Sequence, residues 1–503
     1  MASFDYVVVG GGSAGCVIAA RLSEDPDTRV LLLEAGPVEP VPEMADPTLW
    51  WQLVESPLDW NYETVPQTAL DEAVLRVPQG KVLGGSSGIN GMIFIRGDRY
   101  SFDAWERAGA LGWNYDTLLP YFKRSERAPG RNPVYRGMDG PIPVSPQMLG
   151  DPLFEACFKA MIEVGYPFNY DCNAESSEGV SFHDFNIFEG KRVSVADAYL
   201  RPAMSRPNLI VLGGALAGRL ILENGTICRG VEYRVGGQVF EALADREVIV
   251  TAGAIPTPKL LLLSGIGPAS DLRSVGIEVN VDLPGVGENF HDHVKSQVSY
   301  TATRPVHVSE ATLKPHAMLR SDPSVQGPDL HILFPDFAVR PRFTPLPEPG
   351  YSVVFGLLTP HSRGHVRLAS ANPDQAPIVD PNLLDDPRDL ERLLAGLQIA
   401  REIGSADALA ALRKAEVFPG PGMTNNAEYR SYIRNTATSY THLVGTCKMG
   451  TDMMAVVDPQ LKVYGVKNLR IADASVMPTV PAANTHPAVL AVAERAADII
   501  KQR

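Results

Sequence analysis

The chain has 503 residues, of which 45% are hydrophobic and 20% are charged. This length exceeds the usual size of one domain, so we expect two domains with large buried cores. The 45 basic and 58 acidic residues give a formal net charge of −13, which argues against nucleic acid or an anionic membrane as the main partner.

Cysteine usage and hydropathy indicate where the protein works. The five cysteines are scattered without CxxC spacing, which is typical of a reducing compartment and not of a disulfide framework. The chain opens almost directly on a buried-strand pattern, so we expect no signal peptide. No run approaches the roughly 18 apolar residues of a membrane span. We therefore expect a cytoplasmic protein.

The first elements along the chain predict a βαβ unit. The pattern indicates a strand over residues 4–9, a glycine turn over 10–15, a helix over about 14–23 and a strand over 29–34. Such a unit of roughly thirty residues is typical of the start of a doubly wound parallel sheet. We therefore predict an α/β fold here.

The glycine turn fits the G-x-G-x-x-G pattern of a dinucleotide site. Gly10 would allow the tight turn, Gly12 the close approach of a pyrophosphate, and Gly15 close packing of helix on strand. N–H groups at the helix start, where Ser13 lies, would bind the phosphates. Glu34 would accept hydrogen bonds from ribose hydroxyls, which disfavours NADP. The turn does not distinguish FAD from NAD, and a glycine turn without a ligand is the alternative.

The remaining chain predicts two domains that alternate along the sequence. Residues 36–79 are rich in Pro and Trp and indicate an irregular segment that could cover a site. Strands are expected within 208–253, and the alternating, proline-rich stretch 296–438 favours an antiparallel sheet. A strand over 468–473 leads to a helix from 488 to about 501. The cofactor domain would comprise 1–155, 201–295 and 439–503, and the substrate domain 156–200 and 296–438.

Several motifs follow the glycine turn in a fixed order. They are GKVLGGSSGINGM (80–92), GAIPTP (253–258), LLSGIG (262–267), VGENFHDH (286–293), HSRGH (361–365), HLVGTCKMG (442–450), DASVMP (473–478) and NTH (484–486). The set resembles the signatures of the glucose–methanol–choline (GMC) oxidoreductases over essentially the whole chain. The resemblance implies alcohol oxidation with FAD. It also implies a Rossmann-type FAD-binding domain and a substrate domain with an antiparallel sheet flanked by helices.

The resemblance also implies which residues contact FAD. Besides the glycine turn and Glu34, they are Val82, Gly84, Gly85, Asn90, Gly91, Met92, Ile93, Ala217, Asp473, Thr485 and His486. Some family members attach FAD covalently through a histidine immediately before the asparagine of the second motif. Ile89 occupies that position here, and a hydrocarbon side chain cannot form the bond. We therefore predict non-covalent FAD.

By the same resemblance, His442 and Asn484 form the catalytic pair. Alcohol oxidation removes a hydroxyl proton and transfers a hydride to flavin N5, and a histidine suits the first step. The Asn484 amide can donate to the substrate oxygen, which leaves His442 as the base. His486 stays open between lining the pocket, contacting the flavin through its backbone, and proton transfer.

No metal site is predicted. His291 and His293 form an H-x-H pattern, but the family motif accounts for both as structural residues. His361 and His365 are four residues apart, yet Gly364 and the strand-like pattern oppose a helical zinc site.

The residues expected to face the substrate are mostly apolar or aromatic. They are Met92, Phe94, Leu333, Phe334, Tyr440 and Thr441. No carboxylate in this set would pair with a trimethylammonium, which disfavours choline, and a sugar would require more polar partners. An aryl, furanic or medium-chain primary alcohol fits better. The chain looks most like bacterial aryl-alcohol and hydroxymethylfurfural type oxidases.

Three alternatives to an alcohol oxidase remain. The electron acceptor could be a quinone or dye instead of O2, as in a choline-dehydrogenase-like enzyme, although we favour O2. The scaffold could serve a lyase in which FAD has no redox role. The chain could also be an idle FAD-binding protein, which the intact pair of His442 and Asn484 argues against.

Overall fold

The computed structural model describes residues 3–146, 150–306 and 314–502. Two seven-stranded sheets organise these residues, one mostly parallel and one antiparallel. Each sheet has its own large hydrophobic core. The predicted combination of a Rossmann-type domain and an antiparallel substrate-side sheet is confirmed.

The mostly parallel sheet has the predicted βαβ unit at its centre. The strand Ser3–Val9 pairs in parallel with Val30–Leu33 on one side and with Gln238–Val250 on the other. The other strands of this sheet are Leu209–Leu212, Leu216–Glu223, Ile227–Val235 and Leu469–Ile471. All four residues of Val30–Leu33 are buried, as expected for a parallel strand covered on both faces.

The first and last helices pack on each other and bring the ends of the chain together. The helix Ser13–Leu22 packs on the C-terminal helix Thr485–Lys501. The sequence predicted that the C-terminal helix begins at residue 488, after Pro487. It begins earlier because proline is tolerated in the first turn of a helix, where an N–H group has no intrahelical partner.

The antiparallel sheet forms the other half of the molecule. Its strands are, in spatial order, Arg413–Phe418, Val294–Ala302, Gly350–Leu357, Leu330–Leu333, Pro315–Leu319 and Gly179–Phe182, with Thr438–Ser439 paired to the second of them. The helix Pro387–Ser405 covers one face through Leu393 and Leu397, which are fully buried. Strands from both 156–200 and 296–438 join this sheet, although the exact domain boundaries remain a prediction.

Shorter elements complete the described chain. The other helices are Trp50–Leu53, Arg99–Arg107, Tyr115–Ser125, Pro152–Glu163, the π-helix Ala196–Leu200, Arg201–Ala203, Pro256–Leu263, Ala269–Ser274 and Asn426–Thr436. The 3₁₀ turns are Pro42–Met44, Pro47–Leu49, Thr68–Leu70, Gly85–Gly88, Pro341–Phe343, Asp407–Leu409 and Ala474–Val476. The short strands are Tyr62–Glu63, Arg76–Val77, Glu126–Arg127, Ile142–Pro143, Ser145–Pro146, Asp184–Phe185, Ile187–Phe188, Lys191–Arg192, Ile266–Gly267, Val281–Asp282, Val339–Arg340, Thr344–Pro345, His365–Arg367 and Ile378–Asp380.

Two further observations concern the described helices and the cysteines. None of these helices combines the length and apolar character needed to cross a bilayer. All five cysteines are buried free thiols.

Candidate active site

A cavity of about 1210 Å³ is lined by residues of both halves of the molecule. It reaches from the glycine turn, past the segment 85–93, to the segments 438–443 and 484–486. Ligand pockets usually measure about 300–1,000 Å³, so this volume can hold a dinucleotide together with a small substrate. The predicted cofactor and catalytic residues therefore converge on one site.

The glycine turn has the shape that a bound pyrophosphate requires. Gly12 and Ser13 line the cavity at the start of the first helix. Gly15 lies behind them, and a Cβ atom there would be 1.9 Å from the carbonyl oxygen of Gly10. A Cβ on Gly85, which has φ +55°, would be 2.7 Å from the Cα of Gly12. The two glycine segments thus touch through their backbones and leave a cradle that side chains would fill.

Glu34 lies at the cavity wall but also holds the turn itself. Its two carboxylate oxygens accept hydrogen bonds from the N–H groups of Gly11 (2.8 Å) and Gly36 (2.7 Å). Burial raises its pKa to about 7. A carboxylate oxygen can accept a second hydrogen bond, so both contacts are compatible with a ribose hydroxyl. The sequence predicted the ribose contact and not the anchoring of the turn.

The other predicted cofactor residues divide into two groups. Those that line the cavity are Gly10, Gly85, Asn90, Gly91, Met92, Ile93, Ala217, Asp473, Thr485 and His486. Gly84 lies just behind the wall, where its N–H donates to the carbonyl of Gly11. Val82 does not line the cavity, because its side chain packs with Met44 and Ile89 in a separate apolar cluster. The predicted contact of Val82 with the cofactor stays a prediction, and this packing leaves it to the backbone of Val82.

Non-covalent FAD has a direct test. Ile89 is buried and lines the cavity, and a hydrocarbon side chain offers no atom for a bond to the cofactor. Acid denaturation of the holoprotein should therefore release the yellow cofactor into the supernatant. Absorbance of the supernatant and the pellet measures the partition. Colour that stays with the precipitated protein would refute the prediction.

His442 and Asn484 meet at the cavity wall although 42 residues separate them in sequence. Asn484 is the N-terminal cap of the last helix. His442 follows Thr441, whose φ of +65° turns the chain sharply. The carboxylate of Asp292 fixes this turn by accepting hydrogen bonds from the N–H groups of His442 (2.7 Å) and Thr441 (3.2 Å).

Hydrogen bonds determine which nitrogen of His442 can accept a proton. Nε2 lies 3.1 Å from Nδ2 of Asn484, and Nδ1 lies 2.9 Å from Nδ1 of His293. Because the Asn484 amide donates to Nε2, the ring proton resides on Nδ1 and is donated to His293. His442 therefore keeps an unprotonated nitrogen at the cavity wall. Asn484 retains a second N–H for a substrate oxygen.

The surroundings of His442 keep its imidazole neutral. Burial lowers its pKa well below the usual value, and nearby His293, Lys295 and His331 lower it further. The sequence predicted a structural His293, and its contact with His442 places it directly beside the predicted base. By contrast, His291 bonds only to backbone groups, accepting from the N–H of Val480 and donating to the carbonyl of Asn289.

His486 contributes to the same wall without joining this pair. Its ring contacts Phe94 edge-to-face at 6.0 Å, and burial together with the charge of Arg192 lowers its pKa to about 4. Within the described residues no hydrogen bond links His486 to His442 or Asn484. This geometry favours the first of its open roles, which is lining the pocket.

The structure corrects part of the predicted substrate wall. Met92, Leu333, Tyr440 and Thr441 line the cavity, as predicted. Phe334 does not, because successive strand residues face opposite sides of a sheet, and it packs in the core under Pro387–Ser405. Phe94 is likewise fully buried, in the core of the mostly parallel sheet.

Five charged residues of the wall were missed, two of which are Glu55 and Arg76. Lys295, Asp336 and Arg342 also line the cavity. The signal for Lys295 was present in the sequence, since it lies two residues after His293 and so shares its face of the strand. Its Nζ lies 5.0 Å from the centre of the Tyr440 ring, within reach of a cation–π interaction.

Tyr440 connects His442 to a buried group of three histidines. Its ring stacks on His442 at 4.8 Å, and its hydroxyl lies 3.1 Å from Nδ1 of His331. Nε2 of His331 lies 3.4 Å from Nε2 of His183 and 3.2 Å from Nδ1 of His316. This network of imidazoles forms a polar layer behind the substrate wall.

The three histidines bring their ring nitrogens within 4.8 Å of one another, the range of a metal site. However, the rings of His183 and His316 are stacked, with centroids 4.0 Å apart and planes at 9°. A bound metal ion lies near the plane of each imidazole, along its nitrogen lone pair, and two stacked planes cannot both contain one ion. The arrangement therefore suits hydrogen bonding better than joint metal coordination.

Fold and site together define an FAD-dependent oxidoreductase that acts on alcohols. The family model described as GMC oxidoreductase matches residues 4–295 and 360–493. The chain therefore belongs to the GMC oxidoreductase family.

Individual relatives agree over nearly the full length. The mitochondrial choline dehydrogenase of Mus musculus is 40% identical, with 99% of this chain and 89% of the relative covered. The crystal structure of pyridoxine 4-oxidase from Mesorbium loti has a TM-score of 0.96 at 35% identity, with both chains fully covered. A fungal aryl-alcohol oxidase has a TM-score of 0.89 at 26% identity, with 99% of each chain covered.

Proposed function

We propose that the protein oxidises a primary alcohol of the aryl, furanic or medium-chain class to the aldehyde. FAD supplies the acceptor for the hydride of the alcohol carbon. On binding, the substrate hydroxyl replaces the Asn484 amide as the donor to His442 Nε2. Nε2 then removes the hydroxyl proton while the Asn484 N–H donates to the substrate oxygen. The observation that carries the proposal is the approach of these two side chains to 3.1 Å at the cavity wall. We propose that O2 then reoxidises the reduced flavin and so completes the catalytic cycle.

Replacing Asn484 with alanine tests the second role. The variant should slow flavin reduction less than loss of the base does, because it removes a hydrogen bond and leaves the proton acceptor in place. A hydrogen bond to a charged group such as the developing alkoxide is worth about 1.5–3 kcal/mol, so its loss corresponds to about 10- to 100-fold. Anaerobic rapid mixing with alcohol measures the rate. If this variant were more impaired than His442→Ala, the two roles would have to be exchanged.

The substrate wall supports an aromatic or apolar alcohol over choline. The Tyr440 face that could receive a trimethylammonium already has Lys295 above it, at 5.0 Å. A second cation at the same place would be repelled. The 40% identity to a choline dehydrogenase keeps a choline-like substrate as the second candidate.

A substrate screen decides between these candidates. Aryl, furanic, aliphatic, sugar and amino alcohols, with choline included, are assayed for peroxide release and dye reduction in parallel. We expect the highest kcat/KM for an aryl or furanic alcohol and peroxide as the product of reoxidation. A preference for choline would overturn the proposed substrate class, and dye reduction without peroxide would overturn the proposed acceptor.

One absorption spectrum distinguishes the proposed oxidoreductase from a lyase on the same scaffold. Anaerobic mixing with benzyl alcohol should bleach the visible absorption of the bound flavin if the chemistry is redox. An unchanged flavin spectrum across the whole alcohol panel would favour the lyase.

A further inference from the structure

Arg192 is a buried cation without a carboxylate partner. The buried arginines are Arg96, Arg136, Arg192 and Arg470. The other three form ion pairs with Glu126, Asp171, Asp184 or Glu247. Among the residues that the structure describes, Arg192 is the buried arginine that has none. The charge of Asp197 acts on Arg192 but forms no ion pair with it. A buried charge that no ion pair neutralises is costly, so a further negative group is expected near it during function.

The hydrogen bonds of the Arg192 guanidinium all go to neutral carbonyl or amide oxygens. These oxygens belong to the cofactor-facing segment 85–93 and to Met44. Its Nη1 donates to the main-chain oxygen and to Oδ1 of Asn90, both at 2.7 Å, and to the carbonyl of Ser87 at 3.3 Å. Its Nε donates to the carbonyl of Met44 at 2.8 Å. Its buried Nη2 has no hydrogen-bond partner. Arg192 therefore holds this segment in place without being neutralised by it.

These contacts also orient the side chain of Asn90. Oδ1 accepts from Arg192 and from the N–H of Met92, at 3.1 Å. Both bonds require an acceptor, so the oxygen end of the amide is fixed on the protein side. Asn90 lines the cavity, and the end that it presents there is the NH2 donor. Arg192 thereby orients the dipole of the Asn90 amide so that its positive end points toward the cavity.

The charge of Arg192 also acts on a second cavity residue, His486. The charge of Arg192 is the second cause, after burial, of the lowered pKa of His486. His486 lies in the first turn of the helix Thr485–Lys501, whose positive dipole end points at the same wall. Arg192, the Asn90 amide and this helix terminus therefore combine to make one part of the cavity electropositive.

We propose that Arg192, acting through Asn90, balances the negative charge that the cofactor gains on reduction. The inference rests on the proposed function. In that reaction the hydride carries two electrons from the alcohol carbon to the cofactor, while the hydroxyl proton goes to His442. The cofactor thus gains one negative charge when the aldehyde forms. Arg192 does not line the cavity, so it acts as a positioning residue and not as a catalytic one.

Sulfite and the reduction potential test the proposal without any alcohol. Sulfite adds to the oxidised flavin to give an anionic adduct, so its affinity reports positive charge at the ring. In the holoenzyme, Arg192→Met should weaken sulfite binding about tenfold or more and lower the midpoint potential. Arg192→Lys should restore most of both. Lys191→Met, the same charge change at the exposed neighbouring residue, should leave both as in the wild type.

The outcomes separate this proposal from the proposed function. An Arg192→Met enzyme that keeps FAD with wild-type sulfite affinity and potential would overturn it. If that variant lost FAD, Asn90→Asp would decide, since the new carboxylate neutralises Arg192 at the same place. Wild-type sulfite affinity in Asn90→Asp would likewise overturn the proposal. An enzyme that follows these expectations but oxidises no alcohol would contradict only the proposed function.

Discussion

Replacing His442 with alanine should slow reduction of the bound flavin by alcohol about 10²- to 10⁴-fold while FAD remains bound. The variant removes the proton acceptor of the pair, because Asn484 offers the ring of His442 a donor and cannot serve as a base. The cofactor should stay because the glycine turn, Glu34 and the segment 85–93 are untouched. Anaerobic rapid mixing measures the rate, and the flavin-to-protein absorbance ratio measures FAD content.

His486→Ala is the matched control for this prediction. It removes another buried imidazole of the same cavity wall, one without a hydrogen bond to His442 or Asn484 among the described residues. We expect a much smaller loss of rate. Equal losses in the two variants would assign proton transfer to both histidines. A His442→Ala enzyme that reduces its flavin at a near-normal rate would show that the base lies elsewhere.

Local sequence rules predicted the dinucleotide half of the fold well. Hydrophobic periodicity and glycine spacing set the strand Ser3–Val9, the helix Ser13–Leu22 and the strand Val30–Leu33 to within one residue. These features depend on neighbours within one βαβ unit, so a short window of sequence contains the information. The start of the last helix was misplaced because proline was treated as a boundary, although the first turn tolerates it.

The composition of the active site was less predictable, for physical reasons. Whether the side chain of Phe94 or Phe334 points into the cavity depends on the side of the extended chain on which it lies. A shift of one residue moves the side chain to the opposite side. His293 and His442 are 149 residues apart, and their contact arises only when the antiparallel sheet forms. The significance of Arg192 depends on its forming no ion pair with a carboxylate among the described residues, although the charge of Asp197 acts on it. No linear pattern contains that information.

The same buried histidines should make the protein unstable in mild acid. Burial lowers the pKa of His291, His293, His316, His331, His442 and His486. In the unfolded chain each of them titrates near the ordinary value of about 6.5. Below that pH these histidines are therefore protonated in the unfolded state but remain neutral in the folded state. Stability from these groups is complete above about pH 6.5 and falls as the pH decreases.

Four acids with raised pKa values act in the opposite direction. Burial raises the pKa of Asp98 and of Asp473. The pKa of Glu34 is raised to about 7 and that of Asp292 to about 6. Both are therefore protonated in the folded state at a pH where the unfolded state has released the proton. Six histidines against these acids leave a net uptake of about two to four protons on unfolding, or about 3 to 5 kcal/mol per pH unit. This is comparable with the whole stability of many proteins.

We therefore expect the free energy of unfolding to fall steeply between pH 6.5 and 5, to within reach of zero. Urea titrations at several pH values, with FAD in constant excess, measure it. His316→Gln provides the control, because it removes one titrating imidazole from the layer behind Tyr440 and leaves His442 and Asn484 in place. Its slope should be smaller by about 1.4 kcal/mol per pH unit. A wild-type free energy that stays constant over this range would mean that these imidazoles take up protons within the folded protein.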